Sequence, residues 1–153
     1  EYIAITCAPL PAPSGRVENL LARDPRDRKR FAVVARGGRL AITDWKVLAS
    51  YGPYRVVGLR LHTGRTHQIR VHLKHLGCPI LGDSVYGRRD RRFPDATLML
   101  HSRRLGILLP GREEPSLFKS PLPERFREVL ARLKAEFGPA PDMDSGKGDR
   151  ITG

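Results

Sequence analysis

Apolar and polar positions alternate with a period of two in several short runs, and with a period near 3.6 in two longer ones. Residues 2–8 alternate weakly and predict a strand, while 9–15, with three prolines and a glycine, predict an irregular connection. Residues 31–35 and 39–48 read as strands joined at Gly37-Gly38, a strong hairpin signal. Tyr51-Gly52-Pro53 then turns the chain into a strand over 54–62, in which Leu59 and Leu61 alternate with Arg60 and His62. Three consecutive strands with short turns predict an antiparallel meander.

Thr63-Gly64 ends the alternation, and Thr66 is a suitable N-cap for a helix over 67–76. Ile69, Leu73 and Leu76 form its apolar stripe, and His67, Arg70 and Lys74 share another face. Gly77 suits a left-handed helix end, and Pro79 blocks continuation. A basic loop is expected over 83–93, then a strand over 98–109 broken at Gly106. Phe126, Val129, Leu130, Leu133 and Phe137 mark a second amphipathic helix, opened by Pro123 and closed by Gly138-Pro139. The sum is an α+β domain over 1–138, built on an antiparallel or mixed sheet with few helices. Residues 139–153 are polar and glycine-bearing and are expected to be a disordered tail.

Composition changes this picture in two ways. The 153 residues supply one domain's core, and two cysteines make no disulfide framework, so a reducing cytoplasm is the expected location. No apolar run reaches membrane-spanning length, and no membrane partner is expected. The net charge of +12 favours a polyanionic partner, since each neutralised phosphate releases counterions. The charge is clustered in 23–30, with five cations, and in 88–92, with four. Arg28, Lys29, Arg30, Arg88, Arg89, Arg91 and Arg92 are the candidate contacts to an RNA backbone. His72, His75 and Cys78 fall at three-residue spacing. Cys78 lies beyond the expected helix end and no fourth ligand is nearby, so no metal site is expected.

The run LRLHTGRTHQIRVHLKHLGCPILGDSVYG, residues 59–87, carries the densest chemistry. It closely resembles the signature of the RluA-type RNA pseudouridine synthases, L-x-T-G-R-T-H-Q-I-R-V-H followed by G-x-P-I-x-G-D-x-x-Y-G, with every fixed position met. Tyr2-Ile3-Ala4 resembles the family's Y-x-A strand, Arg23-Asp24-Pro25 its R-D-P loop, and residues 41–45 its A-x-T-x-W strand. Leu100-His101-Ser102 and residues 118–123 resemble its closing L-H-A and F-x-A-P-L-P elements, with Ser in place of Ala in both. The resemblance runs in order over residues 1–133.

The resemblance implies an enzyme that isomerises uridine to pseudouridine in RNA, with ribosomal RNA favoured over tRNA and no metal or organic cofactor. It implies that Arg70 pairs with a nucleophilic aspartate and that Tyr2 lies against the target uracil. Arg65, Thr66, His67 and Gln68 would shape the motif loop or hold RNA, Leu100 would pack near the base, and Asp83 would serve as a turn element. Read without the motif, Arg70 is an ordinary helix arginine, Tyr2 a core ring and Leu100 a core leucine. The family's nucleophile sits in an H-R-L-D motif absent from these residues. The chain is therefore expected to be the C-terminal part of a catalytic domain, inactive by itself. The alternative is a non-catalytic RNA-binding module.

Overall fold

The computed structural model describes residues 1–140, and the tail expected over 139–153 lies almost wholly outside them. Eight strands and two helices follow in the order β1 (Tyr2–Thr6), β2 (Ser14–Arg23), β3 (Phe31–Val34), β4 (Arg39–Tyr51), β5 (Tyr54–Leu61), α1 (Gln68–His75), β6 (Leu100–Ser102), β7 (Arg104–Ile107), β8 (Ser116–Lys119) and α2 (Glu124–Phe137). Six strands make one sheet in the order β3-β2-β4-β5-β1-β6, and β7 with β8 makes a separate hairpin. Every pairing between these strands is antiparallel. The expected α+β class with an antiparallel sheet and few helices is what the chain adopts.

The meander does not hold as drawn. β4 and β5 pair around Gly52, but β3 and β4 flank β2 and do not pair with each other. Gly37-Gly38 is the crossing over the end of β2: Gly37 has φ of 74°, and a Cβ on Gly38 would crowd Leu20 and the Leu21 carbonyl. The connection expected over 9–15 gives way to β2 at Ser14, whose Val17, Asn19 and Leu21 alternate inward. The strand expected over 98–109 splits at Arg103, not Gly106, because β6 joins the main sheet while β7 pairs with β8.

Along β4, Ala41, Thr43, Trp45 and Val47 are buried, as alternation requires. Tyr2, Leu59, Trp45 and Gly15 form one cross-strand row, and a side chain at Gly15 would overlap the indole. The helix α1 packs on the same face, tied to Thr43 by Gln68 and His72. In α2, Phe126 and Leu133 are fully buried, and Pro123 and Gly138 bound the helix as expected.

Candidate active site

The motif loop is built around Gln68, which is 2% exposed. Its Oε1 accepts from Thr63 Oγ1 at 2.8 Å and from the Arg65 N–H at 2.9 Å. Its Nε2 donates to the Ile42 carbonyl at 3.0 Å and to Thr43 Oγ1 at 2.9 Å. All four capacities of the amide are thus filled, and the loop is locked onto β4. Arg65 donates from Nε to the Leu40 carbonyl at 3.0 Å, while Thr66 is exposed. Of the four loop residues expected to shape the loop or hold RNA, Gln68 is internal and Arg65 is tied to the start of β4.

Thr66 is not the N-cap. That position belongs to His67, which has φ of 54° and makes no side-chain cap. A left-handed conformation is uncommon for a residue other than glycine, so something must hold it. Tyr86 supplies the hold: its hydroxyl accepts from the Phe31 N–H at 2.8 Å and meets His67 Nδ1 at 2.8 Å. Donation from the hydroxyl to Nδ1 completes its hydrogen bonding and suits a neutral imidazole with its proton on Nε2. Burial, and then the charge of Arg70, lower the His67 pKa, in keeping with that form.

Arg70 sits one turn further on. Its Nε donates to Asp83 Oδ2 and its Nη2 to Asp83 Oδ1, both at 2.8 Å, a bidentate fork. Asp83 is more than a turn element. Its Oδ1 does accept from the Val85 and Tyr86 N–H groups at 2.9 Å, closing the turn, but the same carboxylate holds the arginine. Burial opposes ionisation of Asp83; the Arg70 hydrogen bond and the two N–H groups outweigh it and hold the pKa below the usual carboxylate range. The Arg70 guanidinium lies 5.0 Å from the Tyr86 ring centroid, and Lys74 Nζ lies 5.9 Å from it. The face of His67, Arg70 and Lys74 therefore wraps one aromatic ring.

Tyr2 stands over the same face of the sheet as α1, several strands away, and is half-buried against the main core. Leu100 lies opposite Ala4 on β6 and shares that face diagonally with Tyr2. No hydrogen bond or ring contact among the described residues joins Tyr2 to Arg70. Tyr2 also borders an open depression of about 740 Å³, lined by Lys46, Arg60, Arg103 and Arg104 around Leu48 and Gly58. At its rim Asp44 takes a fork from Arg16, at 2.6 and 3.0 Å, and meets His62 Nε2 at 2.6 Å. The Arg16 hydrogen bond above all holds the Asp44 pKa far below its ordinary value. Sequence reasoning missed this cluster, in which Arg16 on β2 and Asp44 on the adjacent β4 meet His62, one residue past β5.

The backbone-contact candidates fall into two groups. Arg28, Lys29, Arg88, Arg89 and Arg91 are exposed. Arg30 pairs with Asp27 at 3.3 Å, and Arg92 pairs with Glu136 at 3.2 Å while lying over Phe137. Both basic segments are tight turns capped by aspartates: Asp24 and Asp27 in one, Asp90 in the other. His72, His75 and Cys78 do not converge, since the His72 ring is spent on Thr43 and Asn19. No group of three metal-ligating side chains occurs among the described residues, and no helix among them is long and apolar enough to cross a membrane.

A family model described as RNA pseudouridylate synthase matches residues 1–75. The "Ribosomal large subunit pseudouridine synthase D" of Borreliella burgdorferi is 43% identical over 132 residues, which are 86% of this chain and 40% of that protein. The protein of the same name from Neisseria meningitidis is 37% identical over 134 residues, 81% of this chain and 36% of its own length. The chain thus spans about two fifths of the curated relatives it matches. Among solved structures, human RNA Pseudouridylate Synthase Domain Containing 4 superposes with a TM-score of 0.69 at 29% identity, covering 87% of this chain and 61% of that one.

Proposed function

Because this chain belongs to the RNA pseudouridylate synthase family, we propose that it forms the C-terminal part of the catalytic domain, residues 1–138, of an enzyme that converts uridine to pseudouridine in ribosomal RNA. In that reaction the bond from C1′ of the ribose to N1 of uracil breaks, the base turns, and C1′ joins C5, which gives up its proton while N1 takes one up. Arg70 keeps a nucleophilic aspartate ionised and oriented; that aspartate is contributed by the part of the gene product outside these residues. Tyr2 lies against the target base with Leu100 beside it, and the exposed cations Arg28, Lys29, Arg88, Arg89 and Arg91 take RNA phosphates. The ribosomal substrate is favoured by the names of the bacterial relatives. A cytoplasmic setting accords with an RNA substrate and with two free thiols, Cys7 and Cys78.

The observation that carries this reading is the rigid presentation of Arg70. A planar guanidinium is clamped on one edge by Asp83 and backed by Tyr86, which suits orienting a second carboxylate and gains nothing for an exposed helix. The test is to delete the gene, map pseudouridines in ribosomal RNA and tRNA, and restore the whole gene product as wild type or Arg70→Lys. Wild type should return specific ribosomal sites and Arg70→Lys should not, although it still binds RNA. Full restoration by Arg70→Lys would remove the pairing role. Unchanged pseudouridine maps on deletion, with RNA binding intact, would instead make the chain a non-catalytic RNA-binding module.

A further inference from the structure

We propose that Asp83 is a positioning residue for this isomerisation: it fixes two of the three guanidinium nitrogens of Arg70, leaving Nη1 as the donor for the anionic group at the reaction centre. The inference rests on the proposed function above. It starts from an imbalance in the fork. Asp83 takes the Nε–H and one of the two N–H groups of Nη2, whereas neither N–H of Nη1 makes a hydrogen bond to any described residue. Nη1 is not a sealed orphan either, because His101 Nε2 is the buried side-chain polar atom without a partner among the described residues. The free nitrogen is therefore reachable from outside.

Every degree of freedom of the guanidinium is removed by a named contact. The parallel bonds to Asp83 set its rotation in plane, and the Tyr86 ring below sets its height. Asp83 itself cannot swing, since its Oδ1 is tied to two backbone N–H groups and its side chain is 1% exposed. Tyr86 cannot swing, because its hydroxyl joins the Phe31 backbone to His67. A buried ion pair is a poor way to add stability, since the desolvation of both charges offsets most of their attraction. Its value here is geometric, holding one donor within the tolerance that a reacting centre demands.

Asp83→Asn in the whole gene product separates this role from the turn. The amide oxygen still accepts from Val85, Tyr86 and Arg70 Nη2, but an NH₂ group now confronts the Nε–H of Arg70. Single-turnover pseudouridine formation should fall by about a hundredfold, the scale of a small misplacement at a reacting centre. RNA affinity should stay near wild type, while the thermal midpoint falls, because the Arg70 charge is left without its partner. In protein labelled with ¹⁵N-arginine, the Arg70 Nε–H should exchange faster with water, which a merely structural loss elsewhere would not produce. Wild-type turnover together with unchanged exchange in Asp83→Asn overturns the proposal. Should Asp83→Asn fail to fold, Asp83→Ser keeps a hydroxyl acceptor for the turn and is read in the same way. Failure of both variants to fold assigns Asp83 to the turn alone and also overturns it. A wild-type product that makes no pseudouridine is a different failure, since it removes the proposed function itself.

Discussion

Acid should loosen α1 from the sheet through one imidazole. His72 is fully buried between them, with Nδ1 2.8 Å from Thr43 Oγ1 and Nε2 2.9 Å from Asn19 Oδ1. The direction of these bonds is set from outside the ring. With Gln68 Nε2 donating to Thr43 Oγ1, the neutral ring that accepts the Thr43 hydrogen at Nδ1 and donates from Nε2 to Asn19 leaves no hydrogen unpaired. A second ring proton, on Nδ1, would displace the hydrogen of the buried Thr43 hydroxyl from its acceptor. Burial, helped by the nearby His75, lowers the His72 pKa from the usual 6.5 to about 4. The unfolded chain takes up this proton near the usual value and the folded chain only near the lowered one. Between them the unfolded state holds more protons, so stability falls as pH falls, and the loss levels off at about 3 kcal/mol. Urea unfolding followed by the single tryptophan, Trp45, reads this directly. Wild type and His72→Gln should be compared at several pH values between neutral and about 4. Wild type should lose about 3 kcal/mol more than the variant over that span. Asp44 and Asp83 titrate below the window, and His67, also lowered by burial, cancels between the two proteins. Parallel curves for the two proteins would refute the argument.

Two further outcomes follow from single contacts. Gly82→Ala should cost at least about 2 kcal/mol in a thermal melt, because Gly82 has φ of 75° and a Cβ there would overlap the Thr97 carbonyl; an unchanged midpoint would contradict that packing. Arg91→Ala should reduce the slope of log K against log salt for RNA binding by about 1, as loss of one phosphate contact requires, and an unaltered slope would take Arg91 off the RNA surface.

Both helices and the hairpin of β4 and β5 were legible because their apolar periods are unbroken and their turns carry glycine and proline. The strand β2 was not. Its inward row includes Asn19, a polar residue whose burial makes sense only with His72, 53 residues away, to hydrogen-bond it. Gly37-Gly38 misled for the opposite reason: local turn chemistry says where a chain reverses but not which strand it pairs with afterwards. The N-cap error at Thr66 has the same root, since the left-handed His67 is held by Tyr86, 19 residues on. The motif announced Arg70, Asp83 and Tyr86 as separate fixed letters. Their joining into one clamp is a tertiary fact, because helical periodicity describes α1 alone and says nothing about the turn packed against it.

The place of β1 in the sheet also bears on how the chain is made. Residues 2–6 leave the ribosome ahead of the rest of this segment, yet they pair with residues 55–59 on one side and 100–102 on the other. At roughly 5–20 residues per second, some seconds of synthesis separate the appearance of this apolar strand from that of its second neighbour. During that interval Ile3 and Ile5, which end up buried, can be flanked by β5 but not yet by β6. The order of synthesis thus sets the order in which the two edges of β1 are covered, with the β6 edge last.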